Sequence, residues 1–188
     1  MSNNKHNKRF AAMVLLSASS MLVACSQPST SATESQATSV EQSPITKSAT
    51  PSTLLQNVSA TVYKDANCGC CKEWIDHAEG HGMTATGQDV ADLAVFKQRY
   101  GVPNNMRSCH TTVTTDGYVF EGHVPAKYVA QFLANPPSDA IGLAVPGMPM
   151  GSPGMEYQNR FDPYQVMQIN KDGSSTVYAQ IESPEAQL

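Results

Sequence analysis

Four cysteines set the tightest constraint on how this chain can fold: Cys68, Cys70 and Cys71 form a C-x-C-C run, and Cys109 stands alone far downstream. Around them the hydrophobic period switches repeatedly between that of a strand and that of a helix. Val58 to Lys64 alternates and is rich in β-branched residues, which predicts a strand. Cys70 to His81 carries Trp74, Ile75 and Ala78 at helical spacing, with Gly80 and Gly82 as stops. Met83 to Gln88 predicts a second strand, and Ala91 to Tyr100 a second helix with Leu93, Phe96 and Tyr100 inward. His110 to Thr115 and Tyr118 to Glu121 flank Asp116-Gly117, a hairpin signal because both residues tolerate positive φ. Pro125 suits the first turn of a helix running to Ala134 and stopped by Pro136-Pro137. A Gly/Pro/Met-rich loop follows, then a last hairpin in which Tyr164 to Asn170 and Ser175 to Ile181 flank Asp172-Gly173.

The order βαβα, hairpin, helix, with cysteines between the first strand and first helix, is the thioredoxin-like order. The expected fold is α/β, with a βαβαββα core and a C-terminal loop and β-hairpin extension. In such a fold the first helix begins at a C-x-x-C, where backbone N–H groups and the helix dipole favour thiolate. Cys68 and Cys71 have that spacing, with Cys70 between them. The loop before the third strand packs against the same helix end. Here it reads Arg107-Ser108-Cys109-His110, so Cys109 is expected to meet the other three thiols.

A bare thiol–disulfide oxidoreductase needs one attacking and one resolving cysteine, and two further thiols would invite scrambled bonds. Soft thiolates favour Cu(I) and Zn(II), and tetrahedral zinc usually draws on C-x-x-C pairs from separate loops. C-x-C-C fits one tetrahedral ion poorly, because Cys70 and Cys71 adjoin and their side chains diverge. Adjacent thiolates bridge neighbouring ions instead. Cu(I) accepts two or three thiolates, so a site with more than one copper ion matches the spacing better. Two structural disulfides are the plain alternative in an oxidising compartment.

Other side chains carry two readings each. His110 either ligates or tunes the cluster while shaping the strand entry, and alternation along a strand turns it away from Cys109 unless the backbone is irregular there. His123 is either a helix-entry contact or a metal-related residue, and as a harder donor it would help Cu(II). Met148, Met150 and Met155 supply thioethers that are either soft Cu(I) ligands or flexible packing. Arg107 either lowers a thiolate pKa or pairs with a carboxylate. His77 and His81, one helical turn apart, are expected at the surface, and Trp74 in the core.

These residues together resemble the CopG-type periplasmic copper-resistance proteins. The matching runs are Tyr63-Lys64 before Cys68-Gly69-Cys70-Cys71-Lys72 and Trp74; Arg107-Ser108-Cys109-His110-Thr111; and Glu121-Gly122-His123-Val124-Pro125. Gly142-Leu143-Ala144-Val145-Pro146-Gly147-Met148-Pro149 and Gly151-Ser152-Pro153-Gly154-Met155-Glu156 complete them. What the resemblance implies is a thioredoxin-like copper protein of the periplasm whose site is the C-x-C-C set plus the Cys-His cysteine. It also implies an activity cycling copper between Cu(I) and Cu(II), alongside other copper-resistance proteins.

The ends of the chain say where it works. Residues 1–24 read as a secretion signal: Lys5, Lys8 and Arg9, then an apolar stretch from Phe10 to Val23. Leu22-Val23-Ala24-Cys25 resembles a lipobox, which makes Cys25 the acylated first residue, and Ser26 behind it resembles outer-membrane sorting. Residues 26–53 are mostly Ser, Thr, Ala, Gln and Pro with no aromatic residue, the composition of a disordered tether. The folded domain is expected over 54–182, with 183–188 a frayed tail. Loss of residues 1–24 takes the 12 basic residues to 9 against 16 acidic, a net charge of −7. A nucleic-acid binder needs the opposite balance.

The sequence thus predicts an envelope copper protein, lipid-anchored on the periplasmic side, that sequesters Cu(I) and changes its redox state. The alternatives are a thiol–disulfide oxidoreductase using Cys68 and Cys71, and a module stapled by zinc.

Overall fold

The computed structural model describes residues 53–188. The signal, Cys25 and nearly all of the expected tether lie outside the described residues. The elements are β1 (Ser59–Lys64), α1 (Gly69–Gly80), β2 (Thr84–Asp89), α2 (Leu93–Arg99), β3 (His110–Thr114), β4 (Val119–Glu121), α3 (Ala126–Ala134), β5 (Ala140–Ala144), β6 (Tyr164–Asn170) and β7 (Ser175–Ile181). They form one seven-stranded sheet in the order β2-β1-β3-β4-β5-β6-β7. β1 runs parallel to β2 and antiparallel to β3, and β4 is antiparallel to β3. The first four strands and three helices are the α/β thioredoxin-like core expected from the sequence.

Register decides which side chains reach which face. Lys64 lies opposite His110, Val62 opposite Thr112, and Thr111 opposite Glu121. Paired residues share a face, and successive ones alternate. Ala60, Val62 and Phe120 therefore pack into the larger core with Trp74 and Ala78 of α1 and Val129 and Phe132 of α3. A smaller core lies among Val102, Met106, Val119, Ala144 and Ile169.

Three expectations are corrected. Residues 140–144, read as the start of a loop, are β5, which pairs parallel with β4. Gly142 interrupts the apolar alternation, but it is the residue the pairing needs, since a Cβ there would overlap the Val119 backbone. On α2 the fully covered side chain is Lys97, while Leu93, Phe96 and Tyr100 are half-buried. The C-terminal residues are docked, not frayed. The Ala186 carbonyl accepts from Tyr128 Oη (2.9 Å) and Lys127 Nζ (3.2 Å), and Gln187 bonds Tyr164 and the Gly151 carbonyl.

Candidate metal centre

Cys68 is the N-cap residue of α1, so Cys70 and Cys71 stand in the helix's first turn. Its own side chain caps nothing. Cys68 and Cys71 are joined by a disulfide with their Cα atoms 5.3 Å apart, while Cys70 and Cys109 are free thiols. Cys70 Sγ lies 3.6 Å from Cys68 Sγ and 3.8 Å from Cys109 Sγ. Cys71 Sγ is 3.6 Å from the Cys109 carbonyl oxygen. All four sulfurs fall within 4.8 Å of one another. The packing of the third-strand entry onto the helix end is what closes this group.

A second group shares Cys109. Its sulfur is 2.9 Å from His123 Nε2 and 3.3 Å from His110 Nδ1, and the three ligand atoms again lie within 4.8 Å. Cys109 precedes β3, so strand alternation does not apply to it. His110 does not turn away, as alternation would have it. It faces α1, with its ring 4.8 Å from Trp74 and 5.2 Å from the His123 ring. Both imidazoles are fully buried.

Hydrogen bonds fix one tautomer. His123 Nδ1 lies 2.8 Å from the Pro153 carbonyl, which can only accept, so Nδ1 carries the proton and Nε2 presents a lone pair to Cys109. Among the described residues His110 Nε2 has no hydrogen-bond partner. Burial pushes the His110 pKa well down, aided by His123 and the nearby Lys97 ammonium, and burial also lowers that of His123. Both stay neutral, the form that binds metals. Burial, with the neighbouring Cys70 adding to it, pushes the Cys109 thiol up to about 12. That thiol keeps its proton at neutral pH and donates it toward His123 Nε2 until a metal displaces it.

Two glycines allow this crowding. Gly122 has φ +69°, and a Cβ there would strike Ser108 and come within 2.7 Å of the Val145 carbonyl oxygen. Gly154, at φ +82°, lies against α1, where a Cβ would sit 2.7 Å from the Cys70 carbonyl oxygen and 2.8 Å from the Trp74 nitrogen. The 151–155 loop is thus pressed between the cysteine turn and His123. Trp74 Nε1 donates to the Val124 carbonyl at 3.0 Å and ties α1 to the same turn.

The remaining predicted residues fall elsewhere. Met148 is 56% exposed and Met150 and Met155 are half-buried in the loop. His77 is no surface residue: its Nε2 accepts from the Ala126 N–H that opens α3, at 3.1 Å. His81 caps α1 and its Nδ1 lies 2.8 Å from the His77 carbonyl. Sequence reasoning missed Pro153, whose contribution is a backbone carbonyl, and the buried pair of Lys97 and Glu121. The available signal was Glu121 in the otherwise apolar β4; Lys97 sits in α2 beside Gln98 and Arg99 and gave none.

Three sulfurs on one side of Cys109 and two imidazole nitrogens on the other form, with Cys109 itself, a donor set for soft and borderline metal ions, carried on a thioredoxin-like fold. That defines the class: a cysteine/histidine metal-site protein built at a thioredoxin-type helix terminus. Residues 106–155 match a family model described as a protein of unknown function, DUF411. No curated protein matches the chain. Two solved structures, titled "Copper resistance protein copG- Form 2" and "Copper resistance protein copG- Form 1", are each 47% identical with a TM-score of 0.62. The alignments cover 65% of this chain and 97% and 96% of theirs. The chain belongs to the CopG-type copper-resistance family.

Proposed function

We propose that this protein binds Cu(I) in the cell envelope as part of copper resistance, and that its site also accommodates Cu(II). The observation that carries the reading is the position of Cys109, whose sulfur belongs both to the thiol group and to the imidazole group. With the Cys68–Cys71 bond reduced, four thiols lie close enough to bridge more than one Cu(I). Cu(II) prefers nitrogen and oxygen donors, so His110 and His123 offset the preference of an all-thiolate site for Cu(I). Copper arrives and leaves as cargo, and a one-electron step between its states needs an external electron partner.

Family membership and the two related structures support the copper assignment, and sulfur spacing supports more than one ion. The site residues we assign are Cys68, Cys70, Cys71 and Cys109, with His110 and His123 as nitrogen donors. We add Met148 and Met150 of the loop as accessory thioethers, since soft sulfur donors suit Cu(I). The signal segment and the lipobox-like tetrad ending at Cys25 support a lipid-anchored location on the periplasmic side, at the outer membrane. Among the described residues no helix is long and apolar enough to cross a membrane.

Thiol counting after reduction and anaerobic Cu(I) loading tests this reading. Copper is expected to shield Cys68, Cys70, Cys71 and Cys109 from alkylation together. Protection of Cys68 and Cys71 alone would contradict it.

The Cys68–Cys71 bond favours a second reading, thiol–disulfide exchange. A partner thiolate would attack one sulfur of the bond and release the other as thiolate, and a second partner thiol would then leave in a partner disulfide, with two electrons moving onto this chain. Oxidation of one dithiol per disulfide by copper-free protein would favour it.

A further inference from the structure

Glu121 is fully buried, and nothing in the copper reading yet uses it. It lies on the sheet face opposite His110, where α2 covers it with Lys97. One carboxylate oxygen accepts from Lys97 Nζ at 2.5 Å and from the Ser108 backbone N–H at 2.6 Å. The other accepts from Thr111 Oγ1 at 2.7 Å, and Lys97 Nζ also reaches Thr111 Oγ1 at 3.2 Å. Ser108 adjoins Cys109 in the chain, and Glu121 itself stands two residues before His123. One carboxylate therefore grips the backbone on both sides of the 2.9 Å contact between Cys109 and His123. Apolar side chains of similar volume often serve a core as well as a buried ion pair does. What they cannot supply is an acceptor for the Ser108 N–H, and charge-assisted acceptors are the strong ones.

We propose that Glu121, held in place by Lys97, is a positioning residue that fixes Cys109 against His123 and so sets the geometry in which one thiolate and one imidazole meet the same copper ion. This rests on the copper reading of the site.

Two double variants separate positioning from mere stability. Lys97→Met with Glu121→Gln removes both charges but keeps an oxygen that accepts from Ser108. Lys97→Met with Glu121→Leu removes that acceptor as well. Iodoacetamide labelling of the reduced, metal-free full chain, mapped by peptide mass, gives the rate at Cys109 relative to Cys70. The Gln pair is expected to keep the wild-type ratio within about twofold. The Leu pair is expected to raise it about tenfold, the scale of leaving one buried backbone N–H without an acceptor. After copper loading and oxidation, the Leu pair is also expected to shift the Cu(II) electron paramagnetic resonance spectrum while the Gln pair leaves it unchanged.

Equal ratios and spectra in both pairs would overturn the proposal. So would a parallel rise at Cys109 and Cys70, which is what general loosening or unfolding produces. Because labelling is read without copper, failure of the wild-type chain to bind copper would refute the copper reading and leave the positioning result standing.

Discussion

Cys109 Sγ faces His123 Nε2 at 2.9 Å, and the Pro153 carbonyl, 2.8 Å from His123 Nδ1, decides which nitrogen of that ring is free to face it. A carbonyl in a Gly-Pro loop thus sets the chemistry of a thiol on the far side of an imidazole. The loop can do this only because Gly154 lets it lie against the turn that holds Cys70.

Removal of the shared sulfur should disable the site. Cys109→Ser is expected to damage Cu(I) binding as severely as Cys68→Ser, measured by competition with a Cu(I) chelator. The wild type should also show a steeper pH dependence than the variant, whose remaining thiols still release protons on binding. The Cys109 thiol, at about 12, is protonated throughout the neutral range, so copper must expel a proton to bind there. Its share of the affinity should rise about tenfold per pH unit below that value and fall as pH drops.

His123 acts on the oxidised ion in this account. His123→Ala is expected to leave Cu(I) stoichiometry unchanged and to slow Cu(I)/Cu(II) interconversion about tenfold or more, the usual scale for altered residues around a metal. Anaerobic loading followed by timed oxidation and electron paramagnetic resonance reads this directly. Equal rates would take His123 out of the redox step.

The core order was legible because hydrophobic period and turn residues agreed from β1 to α3, and topology then brought Cys109 to the helix terminus. β5 was hidden because Gly142 breaks its pattern for the sake of contact with Val119. The direction of His110 was misread because pleat alternation was carried one residue too far, into Cys109, which lies ahead of the strand. Lys97 and Glu121 drew no reading of their own, since nothing along the chain pairs a lysine of α2 with a glutamate of β4. Pro153 left no trace because its contribution is main-chain. The docking of residues 183–188 escaped notice because it uses a backbone carbonyl and one glutamine.

His77 should make folding stability depend on pH. Burial, with His81 beside it, lowers its pKa from 6.5 to about 4, so the unfolded chain binds the proton more readily. Its contribution is complete above 6.5 and is lost as pH falls toward 4, by up to ~3 kcal/mol. Protonation also breaks the bond from the Ala126 N–H. Urea unfolding of wild type and His77→Gln across this window should show a smaller loss in the variant.

Membrane attachment should depend on Cys25 alone. Cys25→Ala is expected to release the protein from membranes without changing its affinity for Cu(I), since the anchor and the metal site lie far apart in sequence. Fractionation followed by chelator competition on both forms checks it, and membrane retention of the variant would contradict the lipobox reading.

A thiolate site of this kind should select copper over zinc. Reduced protein, equilibrated without oxygen against equal concentrations of Cu(I) and Zn(II) and then separated from free metal, should carry more than one copper per chain and no zinc. Stoichiometric zinc with no copper would contradict it.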